Sequence, residues 1–280
     1  MKKIIIYILS VLLLGILRCS VYCDIFNITL EEFIYYCNYI PVFLLPAILI
    51  DIFSKNREWY HIGINIDKYS IRDIFIGTLM GLVGVGIIIL LLLLCRIEIF
   101  YSPQSIKSIV NNSIIIFNNV GVEELLFRGF IFQSLIAVFN KNYIVSISAL
   151  LFALSHLFFV NNIDIIWFIN IFIAGILFCR MYMKTKSLWL PFSFHFVWNM
   201  SIFLFFEVSA DILKYNDSIF NIVLTNKTLL HNLLFGSCYN IESGLLCSLI
   251  LLLLIYITET KIKPSYKINA ELYKQEYLID

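Results

Sequence analysis

From Ile74 to Cys95 the chain runs through 22 consecutive residues without a single charge. As a helix such a run rises about 33 Å, and the hydrocarbon core of a bilayer is about 30 Å thick. A helix apolar on every side must be buried, in the core of a large protein or in lipid. Composition decides between the two. The 280 residues are 61% hydrophobic and 14% charged, against about 45–50% and about 25% in soluble domains. The chain therefore reads as an all-α, polytopic membrane helix bundle. A net charge of +1 offers no basic surface, so no nucleic-acid partner is expected.

Measured against the bilayer, the sequence divides into eight transmembrane segments: roughly 4–19, 33–53, 73–95, 108–136, 143–160, 163–181, 187–207 and 243–258. Lysine and arginine orient them. With the N-terminus inside, the cytoplasmic side holds 14 of these residues and the opposite side 5. Both termini are thus expected to be cytoplasmic. The organisation follows: N-terminal membrane helices over 1–107, a membrane core over 108–207, an external loop over 208–242, and a last span with a cytoplasmic tail over 243–280. Met1-Lys2-Lys3 before Ile4–Leu17 resembles a signal peptide, but no small-residue cleavage pattern follows. It reads as a retained first helix, with a cleaved signal as the alternative. Seven cysteines show neither CxxC nor zinc spacing and read as apolar filler. Glycines 77, 81, 84 and 86 in the third span predict close helix packing.

Against this background the charges inside the spans stand out. Glu123, Glu124 and Arg128 fall within six residues of the fourth span, and each charge at the bilayer centre costs about 2.5–3.5 kcal/mol on insertion scales. Glu124 and Arg128 lie one turn apart and can pair. Glu123 points about 100° away around the helix. A purely structural ion pair explains Glu124 and Arg128 but leaves Glu123 over. A desolvated carboxylate is what a general base for water requires.

Two later spans each carry a histidine. Phe152 and His156 share a face at i, i+4, as do His195 and Asn199. Alone, each pair reads as packing or an interhelical clasp. Together with Glu123 they supply a second group to hold a water and two donors suited to an oxyanion. Glu123, His156 and His195 also form a feasible zinc ligand set, although the local H-E-x-x-H signature is absent. A metal-free, glutamate-activated water is equally consistent, so the cofactor is zinc or none. Ser155 has no evident base and is not read as a nucleophile. Asn111, Asn112, Asn118 and Asn119 either line a wet cavity or are polar helix surface. Trp167 and Asn170 read as packing more than pocket lining. His61 and His231 read as loop surface.

Glu123-Glu124-Leu-Leu-Phe-Arg128, Phe152-Ala-Leu-Ser-His156 and His195-Phe-Val-Trp-Asn199 match the motifs E-E-x-x-x-R, F-x-x-x-H and H-x-x-x-N without substitution. In this order, on separate apolar segments, they resemble the CAAX prenyl protease and bacteriocin-processing (CPBP, Abi-type) family of intramembrane proteases. The resemblance covers roughly residues 108–207. It implies Glu123 activating water with His156, His195 and Asn199 stabilising the oxyanion, and Glu124 and Arg128 shaping the site. Glu123, Glu124, His156, His195 and Asn199 are thus the expected catalytic set, with Arg128 and Phe152 as its support. The family is often labelled a metalloprotease. Its members trim prenylated C-termini or take part in peptide maturation and bacteriocin self-immunity.

The expected function is an intramembrane endopeptidase acting on peptide or protein substrates, lipidated ones included, in contact with membrane lipid of the cell membrane. The rival is a non-enzymatic immunity factor or transporter that uses the buried Glu and His as a ligand or proton site. A hydrolase gathers these side chains around one cavity, whereas a relay strings them along a path.

Overall fold

The computed structural model describes residues 63–64, 66, 68–94, 98–101, 106–136, 141–157, 164–205, 209–210, 213–214, 220–223, 233–236 and 241–264. The first two expected spans, the choice between retained helix and cleaved signal, His61 and His231 lie outside these residues. The elements are α1 (Ser70–Leu94), β1 (Glu98–Tyr101), α2 (Ile106–Glu124), a π-helix (Leu125–Phe132), α3 (Gln133–Ile136), α4 (Lys141–His156), α5 (Ile165–Thr185) and α6 (Trp189–Phe205). After them come β2 (Ser209–Ala210), β3 (Leu213–Lys214), β4 (Phe220–Val223), a 3₁₀ turn (Ile241–Ser243) and α7 (Leu245–Lys261).

Six of the expected spans therefore recur as helices with ends shifted by a few residues. Two, Ser70–Leu94 and Ile165–Thr185, are long and apolar enough to cross a membrane, while Tyr143–His156 and Trp189–Phe205 are apolar but shorter. The structure departs from an all-helical reading in two places. Inside the expected external loop, β4 pairs antiparallel with β1, with Glu98 opposite Val223 and Tyr101 opposite Phe220. β2 and β3 form a second short pair. Strand pairing satisfies backbone groups that a loop beside a membrane would otherwise leave open.

α1 and α6 form the closest pairing, and glycine permits it. A Cβ at Gly77 would collide with the Ser193 hydroxyl and reach 2.5 Å from the Leu190 carbonyl oxygen. Gly81 faces Phe194 and Val197, and Gly84 faces Trp198. Residue numbers rise together along this seam, so the two helices run parallel. Gly86 meets nothing, so it takes no part in the contact. Gly175 does the same work between α5 and α4, where a Cβ would lie 2.9 Å from the Ala149 Cα.

Caps and ties fix the helix ends. Asp164 accepts hydrogen bonds from the Ile166 and Trp167 backbone N–H groups at 2.8 and 3.0 Å, capping α5. Arg72 at the start of α1 donates to the Lys263 carbonyl at 3.2 Å just past the end of α7. The buried side chains divide into two groups. A large one surrounds the site described below. A smaller one, of Leu125, Phe132, Ile144, Val145, Cys179, Tyr182 and Leu188, lies toward the C-terminal end of α5. Cys179 and Cys247 are buried free thiols, as apolar filler should be.

Candidate active site

The glutamate pair sits at a change of helix type. α2 ends at Glu124, and the next eight residues, Arg128 among them, form the π-helix. This corrects the expectation of one uninterrupted α-helix. Wide π turns are rare and frequently mark functional sites. The long arginine side chain still reaches back across the junction: Arg128 Nη1 donates to Glu124 Oε1 at 3.0 Å. The guanidinium also lies over the Phe152 and Phe178 rings, at 4.4 and 4.6 Å from their centroids. Ion pair and ring faces together let a cation with 0% exposure persist there.

Glu124 does more than the sequence assigned to it. Its Oε1 also accepts from His195 Nδ1 at 2.9 Å. A carboxylate can only accept, so Nδ1 carries the proton. The other ring nitrogen, Nε2, then lies 3.7 Å from Glu123 Oε2. The imidazole thus spans the two glutamates, while Phe178 stacks on its face at 4.7 Å. His156 is fixed by the same logic. Its Nδ1 lies 2.8 Å from the Phe152 carbonyl oxygen, which can only accept, so Nδ1 donates and Nε2 is the acceptor of the neutral ring. Ser155 donates its hydroxyl proton to the same carbonyl at 2.7 Å. Phe152 is the hub of the cluster, with ring contacts to Phe127, His156, Phe178 and His195.

Glu123, Phe152, His156, His195 and Asn199 all line one cavity of about 310 Å³. Glu124 and Arg128 do not line it; they stand behind the wall. Zinc takes three protein ligands or more at about 2.0–2.3 Å. Among the described residues no three His, Cys, Asp or Glu side chains are grouped to hold a metal ion. The candidate ligand set of Glu123, His156 and His195 does not assemble in this arrangement, and the chemistry below runs through side chains alone.

Several cavity residues went unassigned in the sequence. Glu242, in the 3₁₀ turn before α7, also lines the cavity. Its Oε1 accepts from the Trp198 indole N–H at 3.0 Å. Burial pushes the Glu242 carboxyl up from its ordinary value, while the Trp198 hydrogen bond pulls the other way. Asn170 anchors this turn. Its amide donates to the Glu242 and Gly244 carbonyls at 2.6 and 3.0 Å, and its oxygen accepts from Ser248 at 2.6 Å. Trp167 and Asn170 are therefore lining residues, not packing alone. Asn112 and Asn119 line the cavity as well. The available signal was an acid, Glu242, directly before the last apolar run.

No curated protein and no solved structure matches the chain. Residues 105–201 match the Rce1-like family, Type II CAAX prenyl endopeptidase, the CAAX protease family that the three motifs resemble.

Proposed function

We propose that the protein is a multi-pass intramembrane endopeptidase in which Glu123 activates a water to hydrolyse an amide bond. One observation carries the reading: Glu123, His156, His195 and Asn199 converge on a single cavity while Glu124–Arg128 stays behind it. Convergence favours hydrolysis over a proton path, which would spread these groups along the bundle. The volume of about 310 Å³ is in the range of about 300–1,000 Å³ that ligand pockets occupy, enough for a peptide segment beside the water.

In the reaction, Glu123 takes a proton from the water as its oxygen adds to the carbonyl carbon. The acceptor nitrogen of His156 holds the water's second hydrogen. The carbonyl pair moves onto its oxygen, where the Asn199 amide and the protonated form of His195 donate to it. Glu123 then passes its proton to the amide nitrogen as the C–N bond breaks, releasing acid and amine. Glu124, held by Arg128, accepts from His195 Nδ1 whether or not Nε2 carries a proton, and so keeps Nε2 turned toward Glu123. It is a positioning residue.

The test compares membranes holding wild-type or Glu123→Gln protein, each offered prenylated CAAX peptides and an unmodified peptide library, with products read by mass spectrometry. Cleavage by the wild type should fall by about 10²–10⁴-fold in the variant, the range for loss of an acid–base group. Equal cleavage by both would sink the proposal.

A further inference from the structure

Successive helices of the bundle alternate in direction, and this gives the cavity a definite end. Asn112 and Asn119 come from the part of α2 before Glu123. His156 is the last residue of α4, Trp167 the third of α5, and Phe203 is near the end of α6. Glu242 immediately precedes α7. These are the same end of all five helices, the end where α1 leads into β1 and where β1 pairs with β4. Asn112, Asn119 and Glu123 fall at i, i+7 and i+11, one stripe of an α-helix, so polar groups run from that end down to the acid. In the other direction the cavity stops. Phe178 is its last residue along α5, and beyond it Tyr182, Phe132, Val145 and Leu188 close the bundle with apolar packing.

Charge marks the closed end. Among the described residues its helix ends and connections carry eight lysines and arginines, against two, Lys107 and Lys214, at the cavity end. Several are fixed there: Arg72 on Asp73 and the Lys263 carbonyl, Arg180 and Lys184 on Glu259. Basic residues flanking membrane helices stay in the cytoplasm. From the agreement of these two asymmetries we infer that the site opens to the non-cytoplasmic face of the membrane, and that its substrates are exported polypeptide segments reaching it from that side. A lipidated C-terminus held at the cytoplasmic leaflet would meet the closed end. The lining contributes Glu123 and Glu242 but no lysine or arginine, which favours segments that are neutral or basic at the cut. The substrate half of this inference rests on the protease reading; the sidedness does not.

The experiment separates the two. Asn119→Cys and Lys263→Cys are each expressed in the full chain and treated, in intact cells, with a membrane-impermeant thiol reagent, labelling being measured above the wild-type chain. Ile106→Cys, at the exposed start of α2, serves if Asn119→Cys does not accumulate. The cavity-end cysteine should react at least about tenfold faster than the one at Lys263, and permeabilisation should abolish the difference. Labelling only after permeabilisation, or a cavity cysteine inert in both states, overturns the inference. Right-side-out and inside-out vesicles are then given a membrane-impermeant unmodified peptide. Cleavage confined to right-side-out vesicles is expected. Cleavage confined to inside-out vesicles overturns the sidedness. No cleavage in either, with outward labelling intact, removes the substrate assignment and leaves the sidedness standing.

Discussion

The end of the bundle built from Leu125, Phe132, Ile144, Val145, Cys179, Tyr182 and Leu188 is dry and closed, whereas the end around Glu123, His195 and Glu242 is hollow and polar. The same helices supply both. The boundary runs along the Glu124–Arg128 pair and the π-helix that begins beside it. The difference teaches where a membrane helix can carry charge. On the hollow side a carboxylate meets polar neighbours and space for water. On the boundary it needs a bonded cation, because breaking a buried pair leaves an uncompensated ion. Of the two adjacent glutamates, Glu123 falls on the hollow side and Glu124 on the boundary.

The largest effects should come from the boundary and the acid beside it. Glu123→Gln is expected to cut turnover by about 10²–10⁴-fold while leaving thermal unfolding in detergent near wild type, since the carboxamide keeps the shape of the acid and removes only the base. Arg128→Met should act on stability as well as on the position of His195. It strands Glu124 and should cost about 3–5 kcal/mol of stability, seen as a lower unfolding temperature. Adding Glu124→Gln to Arg128→Met should recover part of that loss, a coupling that a double-mutant cycle reads directly. Additive losses would break the comparison at its centre.

A milder test cuts matching side chains from the two ends. Phe132 is 1% exposed and packs edge-on against Tyr182, at 5.9 Å between centroids. Phe132→Ala should cost about 3–5 kcal/mol, as aromatic truncations in packed cores do. Phe203 lines the cavity, so Phe203→Ala enlarges an existing space and should cost clearly less. Equal losses would mean that the hollow end is packed as tightly as the dry one.

How much of this was legible in the sequence depends on range. Helix positions from Ser70 onward followed from apolar runs, because lipid demands continuous helix. The Glu124–Arg128 pair and the shared faces of Phe152 with His156 and of His195 with Asn199 were local, set by one helical turn. The π-helix was not legible, since a pattern read at 3.6 residues per turn cannot register one wide turn. Nor was the bond from His195 to Glu124, made by residues 71 apart in the chain. Glu242 was missed for the same reason. It stands at the end of a polar stretch, and only the fold brings that end over Trp198. The strand pairing of Glu98–Tyr101 with Phe220–Val223 joins segments on either side of the whole core, beyond any local signal.

The smallest expected effect concerns Glu242 and reads the hollow end through pH. Burial raises its carboxyl from the ordinary value. A carboxyl raised in the folded state is protonated in both states at low pH, so its favourable contribution is complete below the unfolded value. That contribution is lost as pH rises through the raised folded value, because the folded chain must then bury a charge that the unfolded chain leaves in water. Glu242→Gln keeps an oxygen for the Trp198 indole and has no proton to lose. Thermal unfolding in detergent from acid to mildly alkaline pH should therefore show the variant gaining on the wild type as pH increases. Glu242→Ala leaves the indole N–H without its acceptor and should be less stable at every pH, by about 1–3 kcal/mol for an orphaned buried donor. A stability difference, variant minus wild type, that stays constant or falls as pH rises would place the Glu242 carboxyl in open water, and the hollow end would lose its second acid.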